Sequence, residues 1–220
     1  MEMNSKLSSR LLAIIKYVDP SDIVIDVGSD HGQLAIELAR SNAAQRVLAS
    51  ENKRGPFKTL AAAVKHSQLT NLNVMLTDGL NNIPADINTV IIAGMGGVTI
   101  NEIITRKTAP ITQIKKLILL PHGGAPLLRK TASELGFCLI AEEVIKDDNH
   151  FYELLVFVPG SITYTSDELL FGPINLLKQS PNFRLMWEKV YEENEYILAK
   201  PLNPKRRKEI EALQERIKTL

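Results

Sequence analysis

The chain has one cysteine, Cys138, which excludes an intrachain disulfide and any cysteine-cluster metal site. Its four histidines, His31, His66, His122 and His150, are scattered without the i, i+4 spacing of a helical zinc site, and no metal is expected. No apolar run reaches the ~18 residues of a membrane span, and the first residues lack the core of a secretory signal. A soluble, cytoplasmic protein with no membrane partner is therefore expected. An excess of one charge is also missing: 26 basic residues against 25 acidic ones leave +1, which excludes a globally basic nucleic-acid binder but not a local basic face. At 220 residues the chain can hold one α/β domain and a small appendage.

The rest of the chain is organised around Ile23-Val24-Ile25-Asp26-Val27-Gly28-Ser29-Asp30-His31-Gly32. A β-branched run stops at glycine, and an amphipathic pattern (Leu34, Ile36, Leu38, Ala39) begins. A strand feeding a helix through a glycine turn is a ligand cradle at the strand's carboxyl end. Gly28 leaves the backbone unobstructed there, and Ser29 or Asp30 is placed to cap the helix. A dinucleotide fingerprint needs G-x-G-x-x-G, but Gly28 is followed by Ser29, Asp30 and His31 before Gly32. Carboxylates facing the cradle repel phosphate and suit a cation, such as the sulfonium and amino group of S-adenosylmethionine. A capped turn with no ligand is the plain alternative.

Upstream, Ser5 to Val18 has the pattern of an amphipathic helix that either roofs this site or packs on the sheet edge. Downstream, Arg46 to Ser50 reads as a second strand ending at Glu51. Nucleotide-binding α/β folds place a ribose-binding acid at about this distance. Asn73 to Leu76 is a third strand, closed by Asp78-Gly79, where Asp78 can accept from an adenine amino group. Thr89 to Ala93 is a fully apolar fourth strand running into Gly94-Met95-Gly96-Gly97, whose glycines expose bare backbone to a ligand at the point where strand order reverses. Lys116 to Leu120 is a fifth strand ending in the turn Pro121-His122-Gly123-Gly124. The segments Phe137 to Ile145 and His150 to Val158, joined by Lys146 to Asn149, form an antiparallel hairpin.

Between Ile103 and Ser133 there is no acidic residue, yet Arg106, Lys107, Lys115, Lys116, Arg129 and Lys130 are present. Such a one-signed patch is commonly a solvated face; beside the glycine turns it becomes a candidate RNA contact through Arg106, Lys107, Arg129 and Lys130. Past Phe171-Gly172-Pro173, apolar residues from Phe183 to Leu198 and from Ile210 to Leu220 recur at helical spacing on either side of Pro201-Leu202-Asn203-Pro204. They form an antiparallel, coiled-coil-like helical hairpin. Its basic cluster Lys205-Arg206-Arg207-Lys208 offers Arg206 and Arg207 to an RNA backbone.

Asp26-Val27-Gly28-Ser29-Asp30-His31, Glu51-Asn52 with Gly55-Pro56, Asp78-Gly79, Ile92-Ala93-Gly94-Met95-Gly96-Gly97 and Phe171-Gly172-Pro173 occur in that order. Together they resemble the bacterial TrmK family, tRNA (adenine-N1)-methyltransferases acting on adenosine 22 of the D arm. The resemblance spans nearly the whole chain. It implies a Rossmann-like class I methyltransferase sheet, parallel strands with a terminal antiparallel hairpin, over 1–160, and a helical domain over 161–220. It also implies S-adenosylmethionine as cofactor and tRNA as partner, with site roles for Gly28, Asp30, His31, Glu51, Asp78, Gly94 and Met95. The full cofactor set expected is Asp26, Gly28, Ser29, Glu51, Asn52, Asp78, Gly79, Ala93 and Gly94, with Asp30, His31 and Met95 expected at the reacting centre of a monomer. The chain departs from the family where Leu120-Pro121-His122 stands in place of Gln-Pro-Asn, and where Gly32-Gln33 follows His31 in place of an aromatic. An NAD-linked oxidoreductase sharing the strand-two acid and a non-catalytic binding module are the competing readings.

Overall fold

In a computed structural model, residues 7–220 are described. Seven strands, β1 (Ile23–Val27), β2 (Arg46–Glu51), β3 (Leu72–Leu76), β4 (Thr89–Ala93), β5 (Lys116–Leu120), β6 (Phe137–Asp147) and β7 (His150–Pro159), form one sheet. Their order is β3-β2-β1-β4-β5-β7-β6. The first five are mutually parallel, while β7 runs antiparallel to both β5 and β6. Strand order reverses between β1 and β4, so the turns after these two strands open side by side, where open α/β sheets bind ligands.

The central strands are apolar because both faces are covered: Val24, Ile25, Val90, Ile91, Ile92, Leu117, Ile118 and Leu119 are wholly buried. On one face α1 (Ser9–Ile15), α2 (Gln33–Arg40) and α3 (Arg54–Ser67) pack with Val24, Val47, Ile91 and Ile118. On the other, α4 (Gly97–Thr105) and α5 (Ala125–Glu134) pack with Ile25, Val90, Ile92 and Leu119. The helix expected over Ser5 to Val18 is α1, shorter at both ends; Ser5 and Lys6 lie outside the described residues.

Four helices follow the sheet: α6 (Ser166–Phe171), α7 (Pro173–Lys178), α8 (Pro181–Leu198) and α9 (Pro204–Ile217). The last two are the expected hairpin, started by the side chains of Ser180 and Asn203, each accepting from a first-turn amide. Its core of Phe171, Phe183, Trp187 and Ile217 is shared with Val144 of β6. The join is polar as well as apolar. Arg129 of α5 is wholly buried and donates to Glu142 (2.8 and 3.0 Å), to Glu153 (2.5 Å) and to the carbonyl of Leu169 (3.1 Å). Glu142 in turn accepts from the first amides of α7, Ile174 (2.8 Å) and Asn175 (2.9 Å), placing its charge at a helix N-terminus. Phe171-Gly172-Pro173 is the hinge of this arrangement: a Cβ on Gly172 would sit 2.3 Å from the Glu142 carboxylate, and its φ of +91° suits glycine alone.

This network corrects the expected basic patch. Arg129, expected at the RNA surface, is a core residue, because burial opposes its charge but the carboxylates of Glu153 and Glu142 outweigh that and hold it protonated. Lys116 is likewise committed, to Asp22 (2.8 Å), to Asp19 and to the carbonyl of Tyr17, at the sheet end away from the glycine turns. Among the described residues no helix is long and apolar enough to cross a membrane.

Candidate active site

Two cavities flank the end of β1. The first, about 350 Å³, is lined by Asp26, Gly28, Ser29, Asp30, His31, Ala93 and Gly94, with Arg10 and Leu11 of α1, Gln33, Leu34, Leu120 and His122 completing it. The second, about 310 Å³, is lined by Gly28, Glu51, Asn52, Thr77, Asp78, Gly79 and Met95, with Thr99, Glu102, Ile103 and Arg106 behind them. Gly28 belongs to both. The Gly28 turn is tied to β2, since the amides of Gly28 and Ser29 both donate to the Ser50 carbonyl at 2.9 Å. Gly28 has φ +73°, and a Cβ there would lie 2.2 Å from Met95 Cε. The thioether thus lies over the bare backbone where the cavities meet. Gly28→Ala is expected to cost roughly 1–2 kcal/mol in backbone strain and to weaken cofactor binding at least tenfold with the fold retained. Calorimetry beside thermal melting checks this, and an unchanged affinity would remove Gly28 from the cradle.

Asp26 is buried and accepts from Ser29 Oγ at 2.5 Å. Burial raises its pKa to about 6, with the Ser29 hydroxyl opposing the shift. A carboxyl raised in the folded state stabilises the protein only while protonated, so stability falls as pH rises from the unfolded value near 4 towards 6. The expected loss is about 3 kcal/mol at most. Asp26→Asn should remove it, so the stability difference between variant and parent grows over that window; a difference equal at pH 4 and pH 7 would contradict the account. The carboxylate a cation needs is formed above pH 6, and cofactor affinity should weaken below it.

Asp30 holds a left-handed backbone, φ +42°, with an exposed side chain 3.7 Å from His31 Nε2. Such a conformation in a non-glycine residue is a local strain of the kind concentrated at functional turns. Neither Asp30 nor Ser29 caps α2, contrary to expectation. The N-cap is Gly32 (φ +74°) with no side-chain bond, because Ser29 Oγ is committed to Asp26. The acids at the ends of β2 and β3 stand where expected, Glu51 accepting from the Lys53 amide at 2.9 Å and Asp78 in the same cavity. Asp78 pairs with Arg106 at 2.6 Å, so Arg106 reaches into this cavity rather than standing free as an RNA contact.

The Gly94-Met95-Gly96-Gly97 turn divides its labour. Gly94 and Gly96 face open space, but Gly97 does not meet a ligand: a Cβ there would lie 2.5 Å from the Gly123 carbonyl. Backbone bonds from Gly97 to Gly123 and from His122 to Met95, both 2.9 Å, lock the turns after β4 and β5 together. The pair Gly123-Gly124 was the sequence signal for this close approach. Arg10 and Leu11 bring α1 to the first cavity, as the roofing alternative for this helix requires, whereas spacing did not single out Gln33 or His122 as lining residues. Among the described residues no cluster of metal-ligating side chains forms.

The parallel sheet closed by an antiparallel hairpin, with acids after β1, β2 and β3 around a glycine turn, defines a methyltransferase-class domain rather than a dehydrogenase. The methyltransferase-domain family matches residues 7–155. A tRNA (adenine(22)-N(1))-methyltransferase of Bacillus subtilis is 28% identical over 87% of this chain and 84% of its own. The crystal structure of the B. subtilis m1A22 tRNA methyltransferase TrmK superposes with TM-score 0.86 at 26% identity, over 97% of this chain and 98% of that one. A Streptococcus pneumoniae structure in complex with S-adenosyl-L-methionine reaches TM-score 0.90 at 29% identity, over 97% and 98%. The chain belongs to the methyltransferase-domain family and is similar over nearly its whole length to TrmK.

Proposed function

We propose that this chain transfers a methyl group from S-adenosylmethionine to N1 of an adenosine in tRNA, adenosine 22 of the D arm. The observation that carries this reading is the pair of cavities joined at Gly28, one walled by Asp26 and Asp30, the other by Glu51 and Asp78. These residues fit the cofactor: Gly28 leaves room that a Cβ would fill, Glu51 is placed for ribose hydroxyls, and Asp78 for an adenine amino group once Arg106 yields. Bound S-adenosylmethionine supplies a methyl group on a positively charged sulfur. Adenine N1 already carries an in-plane lone pair, so the protein's task is positioning and charge stabilisation rather than proton abstraction. Asp30 and His31, with the Gly94-Met95-Gly96 backbone, shape the base pocket, and the Asp30 carboxylate favours positive charge as it moves onto the base. An adenine must leave its stack to arrive there, at a cost of a few kcal/mol.

The methyltransferase unit spans 1–160 and the helical unit 161–220, in a cytoplasmic monomer. Lys107, Lys130, Arg206 and Arg207 are the remaining candidates for phosphate contacts. Lys130 pairs loosely with Glu134 (3.9 Å) and Arg206 with Glu209 (3.3 Å), whereas Arg207 also donates to the Leu198 carbonyl at 3.0 Å and so helps to close α8. Arg206→Glu is therefore the cleaner probe, expected to flatten the salt dependence of tRNA binding. The test of the cofactor reading is calorimetry with S-adenosylmethionine, S-adenosylhomocysteine and NAD. Binding of the first two supports it, and binding of NAD alone overturns it.

A further inference from the structure

Three flat side chains from distant parts of the chain meet at the outer wall of the first cavity. His122, in the turn after β5, lies 5.8 Å from the Tyr152 ring of β7, tilted by 58°. The Arg10 guanidinium of α1 lies 4.9 Å from the Tyr152 ring centre. Arg10 and His122 line the cavity directly, while Tyr152 is half-buried behind them and packs against the core. Arg10 Nε is 3.5 Å from Asp147 and makes no hydrogen bond, and no side-chain hydrogen bond engages the exposed imidazole of His122 among the described residues. The His122 backbone, by contrast, is fixed, its amide donating to the Met95 carbonyl at 2.9 Å. A planar group with a pinned backbone and an uncommitted ring, in a cavity also lined by Asp26 and Asp30, is suited to a π-face rather than to a phosphate.

We propose that Arg10 and His122, braced by Tyr152, form a stacking clamp for the unstacked adenine of the RNA substrate. This rests on the tRNA reading above. Unstacked bases are commonly held on aromatic rings and arginine planes, each stacked base being worth about five- to 150-fold in affinity when the platform is removed. The clamp divides recognition within the cavity: the acidic turn around Asp26 and Asp30 receives the cation, and the flat side chains of Arg10 and His122 receive the base. Tyr152 acts as a positioning residue through the other two.

A cycle of binding measurements tests this, using the S-adenosylhomocysteine complex, full-length tRNA and the same tRNA with an abasic site at the target adenosine. His122→Ala is expected to weaken binding of intact tRNA about tenfold, while leaving abasic tRNA and S-adenosylhomocysteine affinity unchanged. His122→Tyr, which keeps a flat ring, should retain the parent's affinity. Tyr152→Leu should repeat the His122→Ala pattern, and Tyr152→Phe should not. The clamp is overturned if the losses from His122→Ala and from the abasic site multiply independently, or if His122→Ala weakens cofactor rather than RNA binding. A parent protein that methylates no tRNA would instead refute the tRNA reading, and the clamp with it.

Discussion

Asp30→Asn is expected to lower methyl-transfer turnover by about a hundredfold or more, the range seen when one preorganised electrostatic group is removed from a reacting centre. Asparagine is the right replacement because it tolerates the φ of +42° that Asp30 adopts, so the turn survives and only the charge is lost. In the free protein the Asp30 side chain is largely exposed, and His31 Nε2 lies 3.7 Å from its carboxylate. Water screens it there, and its effect on stability is small. When RNA covers the cavity that screening is lost, and the same charge acts on the transition state in a poorly solvated space. The signature is a fall in turnover with a thermal midpoint within about 2 °C of the parent's and cofactor affinity changed by less than about threefold, small limits for removal of an exposed charge. Unchanged turnover in a folded variant would remove Asp30 from the mechanism.

Glu142→Gln is expected to produce the largest loss of stability of any single conservative change in the chain. Glu142 has no exposed surface, bonds Arg129 at 2.8 and 3.0 Å, and receives the first two amides of α7. Glutamine can still accept from those amides, but it turns a donor towards Arg129 and leaves the guanidinium with Glu153 alone. Removing one partner of a buried pair costs roughly 3–5 kcal/mol, which for a chain of this size lowers the melting midpoint on the order of 10 °C. Because Glu142 also anchors α7, proteolysis near Gly172 should accelerate at the same time. A midpoint within 2 °C of the parent's would show that the network is not what joins the helices to the sheet. Replacing Arg129, Glu142 and Glu153 together by apolar residues of similar size should recover much of the loss, since no unpaired charge is then left buried.

The parallel strands were legible almost residue by residue, because a strand buried on both faces must be apolar throughout: Thr89–Ala93 and Lys116–Leu120 occupy the expected positions. The hairpin was legible in kind, though its connection tightens from the expected Lys146 to Asn149 to Asp148 and Asn149, with φ +52° at Asp148. The small helix α6 went unread despite a local signature, the Thr165 and Glu168 capping box. What composition could not reveal is pairing at a distance. The run from Ile103 to Ser133 looks like a basic face because its acids lie elsewhere: Glu142 and Glu153 for Arg129, Asp78 for Arg106, Asp19 and Asp22 for Lys116. The glycines after β4 illustrate the same limit. Their density announced a close approach, but only the fold shows that Gly97 meets Gly123 and Gly124 while Gly94 and Gly96 remain open. At the site, the strand-end acids could be placed from spacing alone, whereas the wall made by Arg10, His122 and Tyr152 exists only once α1, the β5 turn and β7 are assembled.

The central claim is methyl transfer from S-adenosylmethionine to one adenine nitrogen in tRNA. Incubating the protein with S-adenosylmethionine labelled in its methyl group and unmodified tRNA, followed by nuclease digestion and nucleoside analysis, tests it most directly. The account predicts label in N1-methyladenosine alone, lost when adenosine 22 is replaced by guanosine. Label in another nucleoside, or no label in tRNA from a protein that binds the cofactor, would contradict it.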